Sequence, residues 1–208
     1  MKIGFVWDGN YPWDVRVEKI CLSLIEAGHA VHMVCRNTRY EKDEEMINGI
    51  HIHRLPTVKN RQLNQVMNFP FFFNPVWFNR IQSIFLKENV DAIIVRDITL
   101  SLTALKAAAK NEIPVILDMA EPYPEMIKSQ IIYKDVSGLK KMVRNVALAE
   151  WVEQKTLDNC AHTFAMVEES KERIIGLGIP PERVTIVSNT PDLDKFNNVK
   201  TTSPGALS

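Results

Sequence analysis

The chain has 208 residues, enough for one sizeable α/β domain, and its 25 basic residues cancel its 25 acidic ones. A zero formal charge lacks the basic excess of a nucleic-acid binder, so no nucleic-acid partner is expected. No apolar stretch is long enough to span a membrane. Cys21, Cys35 and Cys160 are odd in number and far apart, which suggests no disulfide framework or metal spacing, and Cys21 and Cys35, on an apolar helix face and at the end of an apolar strand, read as buried thiols in a reducing, cytoplasmic compartment.

Ile3–Trp7 reads as a short buried strand, preceded by Lys2 alone and followed by no cleavage-like end, so it is not a signal peptide. After the turn Asp8–Pro12, the residues Val17, Ile20, Cys21 and Leu24 recur at helical spacing, and Gly28 ends that helix. Strands are predicted at Ala30–Cys35 and, beyond a charged loop over 40–45, at Ile50–Leu55. A fourth strand, Asp91–Val95, precedes a helix containing Ala104–Lys110, and Pro114–Leu117 is a fifth. Leu139, Met142, Val143, Val146, Ala149 and Val152 mark a long amphipathic helix. Strands at Thr163–Val167 and Val184–Val187, with a helix ending near Gly176 between them, complete the set. Alternating strands and helices with continuous apolar runs predict a Rossmann-like, doubly wound, mostly parallel sheet with helices on both faces. The last strand leads through Ser188, Asn189 and Pro191 into what reads as a hinge toward a second domain, leaving 197–208 as linker or frayed tail.

In such a sheet the strand carboxyl ends form the site. They carry Asp8, Gly9, Asn10, Asp14 and Arg16 after the first strand, and Arg36 after the second. Arg96 and Asp97 follow the fourth strand; Asp118, Glu121, Tyr123 and Glu125 follow the fifth; Ser188 and Asn189 follow the last. The rim is rich in ionisable groups, as functional rims are, although exposed strand ends are often polar in any case. A dinucleotide fingerprint would need three spaced glycines here and an acid after the second strand. One glycine and Arg36 stand there instead, which excludes a nicotinamide enzyme of that type. Gly9 would let the backbone approach a ligand, and the helix near Asp14 aims its positive end at the crevice; Asp14 serves equally as a helix cap. In the stretch Asp118–Glu125 two prolines, Pro122 and Pro124, fix the backbone that carries its carboxylates just past a strand end, which suits a hydroxyl-rich ligand, or else it is a helix start with acids in its first turn.

His51 and His53 alternate on one strand face; they could chelate a metal but read better as the polar face of an edge strand. No metal site is expected. The segment Phe69–Phe78 carries six aromatics with Lys59, Arg61, Arg80 and Lys87 nearby. If exposed it would dock into a membrane interface through Trp77 and Phe78; otherwise it is buried against the core. Lys134, Lys140, Lys141 and Arg144 form a second basic cluster, the ordinary pattern of a solvated helix face.

Asp14-Val-Arg-Val17, Glu26-Ala-Gly-His-Ala-Val31, Arg96-Asp97, the Asp118–Pro124 loop and Val187-Ser-Asn189 with Phe196 form an ordered set of motifs. Together they resemble the amino-terminal half of the family 4 retaining glycosyltransferases of GT-B architecture, over residues 1–196. The resemblance implies that this half binds the acceptor, a glycan or lipid-linked molecule. A carboxy-terminal donor-binding domain, absent from this chain, would bind the nucleotide sugar. It further implies no metal or other cofactor in this chain, sugar transfer that builds lipopolysaccharide or other surface polysaccharide, and a cytoplasmic, peripheral place at the inner membrane face. The chain alone would then be inactive. Many relatives carry histidine where this chain reads Met119-Ala120, and histidine-aspartate where it reads Arg96-Asp97. Asp97 and Glu121 thereby become the candidate catalytic carboxylates. Gly9, Asn10, Asp14, Arg16, Arg96, Asp118, Tyr123 and Asn189 become the candidate substrate-binding residues. The alternative is a single-domain binding or partner module that kept the fold without the chemistry.

Overall fold

The computed structural model describes residues 1–12, 14–131 and 145–189. Eight strands form one sheet: Lys2–Trp7 (β1), Ala30–Cys35 (β2), Glu44–Ile47 (β3), Ile50–Arg54 (β4), Ala92–Arg96 (β5), Val115–Met119 (β6), His162–Ala165 (β7) and Val184–Ile186 (β8). Their order is β3-β4-β2-β1-β5-β6-β7-β8, and among the described residues only β3–β4 pairs antiparallel. The described helices are Val15–Glu26 (α1), Arg61–Met67 (α2), Pro75–Glu88 (α3), Ser101–Ala109 (α4), Tyr123–Ile131 (α5), Val146–Asn159 (α6) and Glu168–Gly176 (α7). Among the described residues, none is long and apolar enough to cross a membrane.

The order reverses at β1. From β1 the chain steps to β2 through α1 and on to the β3–β4 hairpin, while every helical crossover after β4 runs the other way. Right-handed connection therefore puts α1 on one face and the later helices on the other. Two buried clusters match that division. One joins Val17 and Cys21 of α1 to Ile3, Phe5, Val31 and Met33. The larger one joins Trp77, Ile81, Ala104, Ile127, Val152 and Ile174 to the opposite sheet face. Along α1's side the cover stops short, and Ile116 and Phe164 of β6 and β7 stay only partly buried there. The predicted Rossmann-like, doubly wound sheet is the observed fold.

Local chemistry sets the elements. Asp14 caps α1 by accepting from the Arg16 and Val17 amides, and Gly28 follows the helix at φ 83°, a left-handed turn that suits glycine. Asn74 caps α3, with Pro75 opening the helix and Trp77, Ile81, Ile84 and Phe85 on its buried stripe. Phe85 lies flat on Gly4 of β1, where a Cβ would stand 2.6 Å from the ring.

Two expectations change, and one of two alternatives holds. The predicted charged loop over 40–45 runs into a strand, β3, so β4 is an inner strand and not an edge. The segment Phe69–Phe78 is a loop over 69–74 that runs into α3 and packs on the core, the second of its two alternatives; Trp77 is 0% exposed, so it cannot reach a lipid interface. Finally, His51 and His53 are not splayed for a metal. Both rings stack against His32 of β2, at centroid distances of 4.7 and 5.5 Å. The long helix predicted from Leu139 is seen as α6 from Val146; its earlier part, the basic cluster of Lys134, Lys140, Lys141 and Arg144, and the tail beyond Asn189 lie outside the described residues.

The histidine stack sets an acid limit on stability. Burial first, then the neighbouring His51, pushes the His32 pKa down to about 4, and burial lowers that of His53 as well. His32 Nδ1 and His53 Nε2 share a hydrogen bond at 3.2 Å, which requires at least one neutral acceptor nitrogen. Both groups therefore favour folding above the unfolded histidine pKa of about 6.5, and that contribution is lost as pH falls toward about 4. Urea midpoints should drop steadily across that window, and His32→Gln should flatten the slope; an unchanged slope would show that the stack does not carry it.

Candidate functional site

The carboxyl ends of β1, β2, β5, β6 and β8 meet on one rim, and their polar residues form a connected web. Arg16 lies at its centre. Arg16 is the second residue of α1, and its side chain points back under the rim and is 4% exposed. Its Nε donates to both carboxylate oxygens of Asp118 at 3.2 Å, and its Nη2 to Oδ1 at 2.5 Å. Its Nη1 donates to the Val187 carbonyl at 2.7 Å and to Asn189 Oδ1 at 3.2 Å. One guanidinium thus ties the first helix to the ends of β6 and β8, using the planar fork that lysine lacks.

Arg96 ends β5 directly opposite Asp118 in the parallel register. Its Nη1 stands 3.7 Å from both Asp14 Oδ1 and Asp118 Oδ2, and its Nε stands 3.5 Å from Asp97 Oδ2. Three carboxylates hold this cation electrostatically, yet Nη1 is buried with no hydrogen-bond partner. Asp97 follows with φ 55° and ψ 177°, an uncommon conformation for a residue with a side chain. Two bonds fix it: its amide donates to the Asp118 carbonyl at 2.9 Å, and its Oδ1 accepts the Ala120 amide at 3.0 Å. Burial pushes its pKa up to about 6; Arg96 and the Ala120 amide pull it back, while Asp118 and Asp8 add repulsion. A carboxylate that titrates near neutrality can accept or release a proton.

The first loop closes the rim on the other side. Asp8 accepts from Thr99 Oγ1 at 3.1 Å, and Asn10 Oδ1 accepts both the amide and the hydroxyl of Thr38. The Arg36 amide donates to the Gly9 carbonyl at 2.9 Å. Its guanidinium is half-buried beside Asp8 with Nε unpartnered, and burial lowers its pKa. Arg36 was legible as the basic end of the second strand, but its orphaned nitrogen was not.

The structure sorts the candidates. Asp97 and Arg96 stand together on the rim, and Glu121 is exposed just beyond β6, where α5 begins. Asp118 is 0% exposed and engaged by Arg16, so its carboxylate orders the rim, while Arg16, 4% exposed, also edges the groove beside α1. Asp14 is the cap of α1, so its own carboxylate fills the helix end that an anion would take. At Gly9 the missing side chain makes room for the Trp7 indole, since a Cβ there would lie 2.3 Å from it. Asn10 and Asn189 keep the amide ends of their side chains for ligand use, since their oxygens are engaged. Tyr123 opens α5 and packs partly against the larger core. Among the described residues, no group of three His, Cys, Asp or Glu side chains is arranged to hold a metal ion.

Beside α1, a groove of about 370 Å³ runs over Phe164 and is lined by Arg16, Ile20, Leu24, Val187 and Asn189. A second cleft of about 470 Å³, lined by Leu105, Lys106, Ile113 and Trp151, brings in none of the rim groups.

The buried pair gives a direct test. Arg16→Ala or Asp118→Ala should each cost about 3–5 kcal/mol of stability, because each strands the other charge in the interior. The double replacement should cost less than the sum, since no lone charge remains. Urea titration of the four proteins measures the coupling, and strictly additive losses would show that the pair does not act as a unit.

Comparison with known proteins places this geometry. The glycosyl transferase 4-like domain profile matches residues 14–190. No curated protein sequence matches the chain. Among solved structures, sucrose-phosphate synthase from Thermosynechococcus elongatus superposes with a TM-score of 0.65 at 13% identity, over 93% of this chain and 49% of that one. UDP-GlcNAc 2-epimerase from Neisseria meningitidis, bound to UDP-GlcNAc, gives a TM-score of 0.60 at 17% identity, over 96% and 50%. The lipopolysaccharide outer core galactosyltransferase WaaB gives 0.51 at 15% identity, over 92% and 46%. At these identities the likeness shows the fold, and the chain spans about half the length of each of these structures. The match across residues 14–190, which begins at the cap of α1 and takes in every group of the Arg16 web, shows that the chain belongs to the glycosyl transferase 4-like domain family.

Proposed function

We propose that this chain is the acceptor-binding half of a retaining glycosyltransferase. A donor-binding domain, in the same chain or another, would present the nucleotide sugar across the rim. The sugar would pass to a glycan or lipid-linked acceptor in the assembly of a surface polysaccharide, on the cytoplasmic side of the membrane. The observation that carries this reading is the Arg96–Asp97 pair on the rim of a domain of this family: a guanidinium nitrogen without a hydrogen-bond partner, next to a carboxylate whose pKa sits at about 6. The likeness to WaaB, a lipopolysaccharide outer core galactosyltransferase, fits the polysaccharide class.

The roles follow from position. Asp97 accepts a hydrogen bond from the acceptor hydroxyl that attacks the sugar, and Arg96 orients the neighbouring oxygens. Glu121, exposed and without an ion pair among the described residues, supplies a second carboxylate for acceptor hydroxyls. Asn10 and Asn189 offer amide donors from the two ends of the rim. Stabilisation of the departing diphosphate belongs to the donor-binding domain, so this half needs no nucleophile of its own. Splitting the two halves removes the proximity on which transfer depends, so the chain alone turns over nothing.

The test is sugar transfer from a panel of nucleotide sugars to membrane extract, by this chain with and without the donor-binding domain. Transfer should need both halves; transfer by the 208-residue chain alone would overturn the reading. In the active form, Asp97→Asn should lower kcat/KM by about 10- to 100-fold, the worth of a hydrogen bond to a charged group. The ionised carboxylate is the working form, so wild-type activity should fall as pH drops through about 6, and the Asn variant should lose that acid limb.

A further inference from the structure

Helix α2 is inside out. Its buried side is polar: Asn64 is 1% exposed and Asn68, its cap, 0%. The two bond into the loop after β2, with Asn64 Nδ2 donating to the Asn37 carbonyl at 3.1 Å and Asn68 Oδ1 accepting the Asn37 amide at 2.7 Å. The solvent side of α2 carries, beside Arg61, Gln62 and Gln65, an aliphatic pair, Leu63 51% and Val66 58% exposed, three residues apart and so on one face. A soluble helix normally buries its aliphatic side, so this inversion leaves an aliphatic pair free to meet an occupant.

The charges around it indicate which one. Lys42, Lys59 and Arg61 are exposed and form no ion pair among the described residues. The acids of the neighbouring β3 hairpin are engaged: Glu41 and Glu45 hold the buried Arg54 at 3.0 and 2.5 Å, and Glu44 holds Arg80 at 3.4 Å. Asp43 is the acid left nearby, and its Oδ1 accepts from Asn37. Outward-facing aliphatic side chains flanked by unpaired bases match the acyl boundary and headgroup layer of an anionic bilayer.

We propose that the outer face of α2, Leu63 and Val66 with Lys59 and Arg61, docks this domain onto an anionic membrane surface. Trp77, on which docking through the aromatic segment depended, is buried, while the helix just before that segment presents the suitable face. The Asn37 network makes the surface useful, because it holds α2 on the loop that also meets the rim through Thr38 and Asn10. Docking there brings the rim to the depth of a lipid-linked acceptor; this last step rests on the acceptor reading above, whereas the docking does not.

The experiment is co-sedimentation of this chain with vesicles of phosphatidylcholine alone or mixed with phosphatidylglycerol. The chain should pellet with the mixed vesicles only, and less so as salt is raised. Leu63→Ser with Val66→Ser should weaken binding by at least about tenfold, and Lys59→Gln with Arg61→Gln should remove most of it. Neither pair should move the thermal melting curve, because the side chains already face solvent. Leu86→Ser, at an exposed position of α3, should bind as wild type. Failure of the wild type to pellet, equal binding to neutral vesicles, or full binding by the Leu63/Val66 variant would each overturn the proposal. Vesicle binding without sugar transfer would defeat only the acceptor reading, and transfer without vesicle binding only this one.

Discussion

The carboxyl-end rim depends on one buried ion pair, Arg16 with Asp118. A guanidinium at 4% exposure and a carboxylate at 0% would each be very costly alone. Together they are compensated by parallel hydrogen bonds, and the spare Arg16 nitrogen is satisfied by Val187 and Asn189. Such a pair adds little net stability over well-packed apolar residues. Its physical value here is geometric, because a fork that joins the first helix to the ends of β6 and β8 at once permits only one arrangement of them.

The neighbouring groups follow from that arrangement. Asp118 fixed by Arg16 offers its carbonyl to the Asp97 amide and a carboxylate oxygen toward Arg96. Asp97 is thereby kept at a positive φ, and its carboxyl is crowded by Asp118 and Asp8 as well as desolvated. The chemistry assigned to the rim thus uses residues that the central pair holds in place but does not itself include. A buried layer supplies order, and a half-exposed layer above it, Arg96, Asp97 and Glu121, remains able to meet a ligand. The family match over residues 14–190 spans both layers.

Much of the fold was legible in the sequence because parallel strands buried on both faces leave continuous apolar runs, as in Ile3–Trp7 and Ala92–Val95. Strand β3 was not, since Glu44-Glu-Met-Ile47 is half-exposed and its charges serve Arg54 and Arg80 rather than solvent alone. Helix α2 was illegible for a related reason: its apolar residues face outward, so periodicity points to no core. Helix α3 carried a readable Asn-Pro start that the run of phenylalanines obscured. In the site, strand-end position identified the right residues but not their layers. Sequence cannot tell that Asp118 is covered while Glu121, three residues on, is open, nor that Gly9 makes room for Trp7. Those distinctions come from contacts between residues far apart in the chain.

That remoteness bears on when the site comes into being. Arg16 is separated from Asp118 by 102 residues and from Val187 by 171. During synthesis its guanidinium must remain hydrated until β6 has emerged, and it cannot complete its bonds until β8 has followed. The rim therefore assembles among the latest events of folding, after the entropy of a very long loop has been spent. Its last attachment is also its weakest point, for β8 has three residues and lies at the sheet edge. Fraying of that strand would release the Val187 and Asn189 anchors while the rest of the sheet stayed intact, so the order of the rim follows the local opening of β8 rather than global unfolding.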